Sequence, residues 1–174
     1  MIIDIDMDYK RLILTLLIVY FCPLVSSCRS SNGPDRGIVG TETVIAESPC
    51  PDSVYLYTPG IVEGFDGRLV VAVDYGGPGT YMLDGQKSDF GDYRAGNQIR
   101  ILLSDDEGKT WRDPGARIPM MHEILFKAGK SLYMVGHSGR LLATRSDDNG
   151  ETWSEVSVLC PEPRWHQSCT PVDI

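Results

Sequence analysis

The octapeptide SDDEGKTW, Ser104 to Trp111, is written a second time as SDDNGETW, Ser146 to Trp153. The copies start about 42 residues apart, the length of one small supersecondary module. Both reduce to Ser-x-Asp-x-Gly-x-Thr-Trp. Short polar side chains such as Ser104, Asp106, Ser146 and Asp148 bond to nearby backbone and stabilise a tight turn. Gly108 and Gly150 supply a backbone conformation that other residues resist. Thr110 and Thr152 close the turn, and Trp111 and Trp153 follow as large apolar anchors. An apolar run precedes each copy, Ile99 to Leu103 and Leu141 to Ala143. The repeated part is therefore a turn between two strands.

The rest of the module repeats as well. Ahead of the second copy stand Ile124-Leu125-Phe126, then Ser131 to Val135, then Arg140 to Arg145, separated by Gly-containing turns. Ahead of the first stand Gly60-Ile61-Val62, then Arg68 to Val73, then an interruption, then Gln98 to Leu103. Four short strands in about 40–45 residues are the signature of a propeller blade. The fold class expected is all-β, with blades of four antiparallel strands. A sandwich with a coincidental turn is the competing reading.

Here the sequence resembles a known family. Ser-x-Asp-x-Gly-x-Thr-Trp is similar to the Asp box of sialidases and related BNR-repeat propellers, and the likeness runs from about Val54 to the end. It implies a box joining the third and fourth strands of a blade, at the outer rim and away from any active site. The ten box residues are thus expected to be structural. The family also implies six blades, about 250 residues. By that count the chain holds about two blades and the start of a third, at Trp165. It then reads as the N-terminal part of a longer protein, or as a truncated product.

Two groups of residues are candidates for chemistry. The starts of the innermost strands fall at Tyr57-Thr58-Pro59, Met121-His122-Glu123 and Trp165-His166-Gln167. Polar residues recurring there suit a funnel lining that contacts sugar, so His122, Glu123, Trp165, His166 and Gln167 are candidate substrate contacts. His137, whose counterpart is about Asp74, joins them. The alternative is that these groups satisfy backbone between blades. The second group is the interruption from Asp74 to Asn97, a long loop of the kind that carries function. Sialidases carry their acid/base aspartate in a loop at this point. The resemblance makes Asp89 the nearest match, with Asp84 and Asp92 as alternatives. The same family departs here in one respect: its first strand opens Arg-Ile-Pro, whereas Tyr57 stands two residues before Pro59. The first carboxylate-gripping arginine is missing, and the tyrosine/glutamate nucleophile pair belongs to later blades.

The N-terminus is of another kind. Lys10 and Arg11 precede an apolar run, Leu12 to Val25, that ends in Ser26-Ser27-Cys28. Residues 1–27 read as a signal peptide. The ending resembles a bacterial lipobox, with Cys28 as the lipidated residue; a plain signal peptide or an uncleaved anchor is the alternative. Residues 28–50 are expected to be a lipid-anchored linker, and 51–174 the partial propeller. Export to the periplasm or cell surface of a bacterium follows from that reading, with a membrane held through the lipid. A net charge of −8 over 174 residues argues against nucleic acid. No spacing of the three histidines or five cysteines is a metal signature, and no cofactor is expected. A disulfide between Cys160 and Cys169 remains an open possibility.

Three functions compete. One is an exported exo-α-sialidase or related exo-glycosidase acting on a glycan. Another is a propeller that binds glycan or protein without catalysis. The third is an inactive truncated product.

Overall fold

The computed structural model describes residues 42–89 and 96–162. They form two consecutive four-stranded sheets with every neighbouring pair antiparallel. The first holds β1 (Tyr55–Glu63), β2 (Leu69–Gly76), β3 (Gln98–Ser104) and β4 (Arg117–Ile118). The second holds β5 (Met121–Ala128), β6 (Ser131–Ser138), β7 (Arg140–Ser146) and β8 (Ser157–Cys160). Strand order follows chain order in both. Two successive four-stranded meanders laid side by side are the blades that the repeat predicts. The third unit expected from Trp165, and the expected signal peptide and lipidation site, lie outside the described residues. Among the described residues no helix is long and apolar enough to cross a membrane.

The apolar run of β2 is explained by burial on both faces. Val70 and Ala72 face the second blade and join Ile99, Ile101 and Leu103 in a core completed by Leu125, Leu132, Met134 and Leu142. Val71, Val73 and Tyr75 point the other way, where Val54 and the chain before it cover them. Ile45, Ala46 and Cys50 pack on that face, so the last residues of the expected linker, 28–50, are packed against the first blade. Cys50 and Cys160 are free thiols; Cys169 lies outside the described residues.

Both octapeptides form one and the same turn, between β3 and β4 and between β7 and β8. The Ser104 hydroxyl donates to Asp106 Oδ1 at 2.9 Å and accepts from Gly108 N–H at 2.8 Å. Asp106 accepts from the backbone and hydroxyl of Thr110 at 2.8 and 2.7 Å. Trp111 Nε1–H donates to Gly108 carbonyl at 3.0 Å. Ser146, Asp148, Gly150, Thr152 and Trp153 repeat every one of these bonds. The Thr110 N–H and hydroxyl hold the Asp106 carboxyl down to about 2. Partial burial pushes Asp148 up, but the same bonds from Thr152 outweigh it and leave its carboxyl below the usual range.

The unshared letters of the second box join the blades. Asn149 stands at φ 60°, and its amide pairs with the backbone of Phe65 in the β1–β2 turn. Phe65 N–H donates to Asn149 Oδ1 at 2.8 Å, and Asn149 Nδ2 donates to Phe65 carbonyl at 2.7 Å. Gly64 leaves the room for this: a Cβ there would lie 2.1 Å from Asn149 Oδ1. Glu151 adds ion pairs to Arg68, at 2.8 Å, and to Arg112. In the first box the same two positions are Glu107 and Lys109, which are exposed and paired with each other at 3.3 Å.

Candidate functional site

At the opposite end of the sheets, the edge strands β1 and β5 each carry a bulge. Pairing of β1 with β2 shifts between Tyr57 and Gly60, and pairing of β5 with β6 shifts between Met121 and Ile124. Each bulge holds a non-glycine residue in the left-handed region, Thr58 at φ 35° and His122 at φ 51°. Such positions cost energy and cluster where a side chain must be re-aimed. The registers Tyr57↔Asp74 and Met121↔His137 make Thr58 the equivalent of His122, and Asp74 that of His137.

His122 is half-buried and His137 fully buried. Their rings meet at Nδ1 of His122 and Nε2 of His137, 3.0 Å apart. One ring donates and the other accepts, so the pair shares one proton. His122 N–H donates to Asp74 Oδ2 at 3.3 Å, and Asn97 Nδ2 donates to Asp74 Oδ1 at 2.8 Å. Burial raises the Asp74 carboxyl to about 7, although both donors favour its ionised form. Glu123 is fully buried and lies against Gly60 of the neighbouring blade, with the Gly60 backbone among its donors. Burial first, and the charge of Asp74 after it, push its carboxyl well above the usual range. Glu123 therefore sits between blades, while the half-buried His122 next to it turns its ring onto His137.

The insertion loop crosses to this same end. Its first part is a single 3-10 turn, Thr80–Met82, pinned by the Thr80 hydroxyl on the carbonyls of Gly77 and Gly96. Tyr81 and Met82 are left exposed by it. Asp84 lies on the far side, tied to Arg100 at 2.7 Å and Arg117 at 3.0 Å. Desolvation pushes Asp84 up, but Arg117 and Arg100 outweigh it and bring the carboxyl below its ordinary value. Asp84 is thus an anchor of the loop on the outer strands. Asp89 reaches the second blade. Ser138 hydroxyl donates to Asp89 Oδ1 at 2.5 Å, and Arg140 Nη2 donates to Oδ2 at 3.2 Å. The Ser138 bond, assisted by the charge of Arg140, lowers the Asp89 carboxyl. Asp92 lies outside the described residues, as do Trp165, His166 and Gln167.

The structure seats Asp89 on Ser138 and Arg140, while His137, the residue before Ser138 in β6, points to the opposite face of that strand and meets His122 there. It places Glu123 and Asp84 elsewhere. A cleft of about 240 Å³ opens beside Asp89, bounded by Lys87, Ser138 and Arg140 and floored by Leu142, Val156 and Val158. A larger cleft of about 320 Å³ lies at the rim, between residues 114–119 and 151–156, beside the second box. The end of the sheets that carries the bulges, called the mouth below, is preferred as the site because the loop carboxylate Asp89 borders a cleft there. Among the described residues no group of three or more His, Cys, Asp or Glu could hold a metal ion.

The sequence did not single out Asn97, Ser138 or Arg140, and it noted Asp74 only as a counterpart of His137. Asp74 did carry a signal: it is the one charged residue in the strand LVVAVDYG. A carboxylate inside an apolar strand needs partners.

Comparison with solved structures finds sialidases. Trypanosoma rangeli sialidase matches at 23% identity with a TM-score of 0.39, over 53% of this chain and 13% of that chain, both alone and in complex with the inhibitor DANA. A mutant of NanB sialidase from Streptococcus pneumoniae matches at 22% identity and a TM-score of 0.39, over 58% of this chain and 14% of that chain. The chain thus spans about one seventh or less of the length of these proteins. No family model matches, and no curated protein does.

Proposed function

We propose that this chain contributes the first blades of an exported, lipid-anchored glycoside hydrolase of the sialidase type, an exo-α-sialidase or a related exo-glycosidase. The observation that carries the reading is the seating of Asp89 on Ser138 and Arg140 of the second blade, at the edge of a cleft. A carboxylate beside a cleft, on a loop supported at both ends, is what proton transfer to or from a glycosidic oxygen or a water requires. In this reading Asp89 is the acid/base group. His122 contacts sugar hydroxyls, and His137 orients it. Asp89 is held ionised by Ser138 and Arg140, so in this reading it takes up a proton once substrate engages Arg140, gives that proton to the leaving oxygen, and then acts as a base toward water.

A second reading is a glycan-binding propeller without catalysis. It is favoured by the lowered Asp89 carboxyl, which two donors already occupy. A panel of methylumbelliferyl glycosides, sialoside included, separates the two. Turnover lost in Asp89→Asn supports the hydrolase. Calorimetric binding of a sugar without turnover supports the binder. Neither turnover nor binding overturns both. Export rests on Lys10, Arg11 and the ending at Cys28. Palmitate labelling in a bacterial host, abolished by Cys28→Ala, supports the anchor, and labelling that survives the substitution removes it.

A further inference from the structure

We infer that Asp74 is a positioning residue that sets both halves of the mouth at once, holding His122 through its backbone N–H and the Ser88–Asp89 end of the loop through Asn97. This deepens the proposed site, and rests on that reading only for what the mouth does.

The connection is continuous. Asp74 Oδ2 accepts from His122 N–H at 3.3 Å, and His122 Nδ1 meets His137 Nε2 at 3.0 Å. Asp74 Oδ1 accepts from Asn97 Nδ2 at 2.8 Å. Asn97 in turn is clipped to Ser88 twice: Ser88 N–H donates to Asn97 carbonyl at 2.7 Å, and Asn97 N–H donates to Ser88 Oγ at 2.8 Å. Asp89, the next residue, binds Ser138 and Arg140. The path therefore closes on itself, because Ser138 follows His137. One buried carboxylate sits at the crossing of the two arms.

Both oxygens of Asp74 act as acceptors, which only the ionised form can do without loss. A proton on Oδ1 weakens that oxygen as an acceptor for Asn97, and a proton on Oδ2 does the same for His122. Protonation then loosens at least one arm. His122 is the arm under strain, at φ 51°, so the N–H contact is what keeps the bulge in place. The titratable groups facing Asp74 are His122 and Glu123 from β5, His137 from β6 and Tyr57 opposite it on β1; Asn97 and Gln98 on the β3 side are neutral. Burial places the change within reach of neutral pH, since Asp74 rises to about 7.

The test is an amide ¹H–¹⁵N titration of the whole chain from acid to mildly alkaline pH. The amides of His122 and Ser88 are expected to show one step with a shared midpoint. Asp74→Asn should remove the step at Ser88 while the rest of the spectrum stays dispersed. Asn97→Ala should remove it at Ser88 and leave it at His122. Glu123→Gln should keep both and leave the shared midpoint in place, because burial and the charge of Asp74 keep Glu123 protonated while Asp74 ionises. A flat Ser88 amide in the wild type overturns the inference. So does a Ser88 step that survives Asp74→Asn or Asn97→Ala. If Asp74→Asn does not fold, Asn97→Ala decides alone. No substrate enters the measurement, so an inactive protein can pass it and an active hydrolase can fail it.

Discussion

Replacing Asn149 by glycine removes two hydrogen bonds between the blades and leaves the left-handed backbone of the second box unstrained. The two bonds to Phe65 are both of good length, 2.8 and 2.7 Å. Each is worth about 1 kcal/mol net, and Phe65 is half-buried, so water replaces the lost partners only in part. The expected loss for Asn149→Gly is about 2 kcal/mol. Asn149→Ala should cost about 1 kcal/mol more, because alanine tolerates φ 60° less well than asparagine or glycine. Glu107 occupies the equivalent place in the first box, also at φ 60°, and pairs with Lys109 inside the turn itself. Glu107→Ala should stay within about 0.5 kcal/mol of wild type, and Glu107→Gly should stabilise by up to about 1 kcal/mol. Gly64→Ala gives an independent check. Its Cβ would fall 2.1 Å from Asn149 Oδ1 and expel the amide, so it should cost as much as Asn149→Ala. Combined with Asn149→Gly it should cost clearly less than the sum, since both break one interaction. Urea unfolding followed by tryptophan fluorescence, at constant m, measures all six variants, the double one included. Equal losses at Glu107 and Asn149, or full additivity of Gly64→Ala with Asn149→Gly, would refute the clasp.

Other outcomes follow from the same contacts. Trp153→Ala should cost about 3 kcal/mol, the lower end for a large aromatic because Trp153 is only partly buried, while sugar binding by the folded fraction stays unchanged; a changed affinity at unchanged melting temperature would contradict it. Asp106 has a folded-state carboxyl near 2, below its unfolded value of 3.8, so the box is fully supported above pH 4 and its support is lost as pH falls toward 2; Asp106→Asn should flatten that acid limb of a thermal-melt profile. Asp74 has the opposite sign. Its folded value of about 7 exceeds 3.8, so the fold is favoured below pH 4 and loses stability as pH rises to 7, by an upper bound of about 4 kcal/mol. Asp74→Asn should reduce that decline, the remainder belonging to Glu123, and a profile identical to wild type would remove Asp74 from it. Asp89→Asn should lower kcat on poor leaving groups by about 10²–10⁴ and much less on good ones; equal losses on both would assign Asp89 to binding.

The repeat made the sheets legible. Ser104 to Trp111 and Ser146 to Trp153 fixed the turns, and the apolar runs before them fixed three strands of each blade. The equivalence of Asp74 and His137 could also be read, because it depends only on counting along paired strands. The direction of each side chain at the bulges could not. Thr58-Pro59 and His122-Glu123 interrupt the alternation by which inward and outward positions are told apart. For that reason the sequence groups Glu123 with His122, although Glu123 lies between blades and the His122 ring lies against His137. The loop was harder still. Asp84 and Asp89 look alike in sequence, and only the positions of Arg100 and Arg117 against those of Ser138 and Arg140 separate an anchor from a residue at the mouth. Those arginines lie on different strands, and no local pattern links them to the loop.

The two ends of the blades also differ in how much chain they can absorb. At the rim, Gly64, Phe65 and Arg68 fit Asn149 and Glu151 at atomic distances, so a residue added to that turn would pull the backbone off its partner. At the mouth, β6 passes to β7 through Gly139 alone, whereas β2 passes to β3 through about twenty residues. Yet Tyr75 pairs with Gln98 as Ser138 pairs with Arg140, and the strands keep one register on either side of so unequal a connection. Length is fixed at one end and free at the other. A foreign segment grafted at Gly139 would lie over the same cleft as the natural insertion, which makes the second blade a ready place to install a new specificity without redesigning a strand.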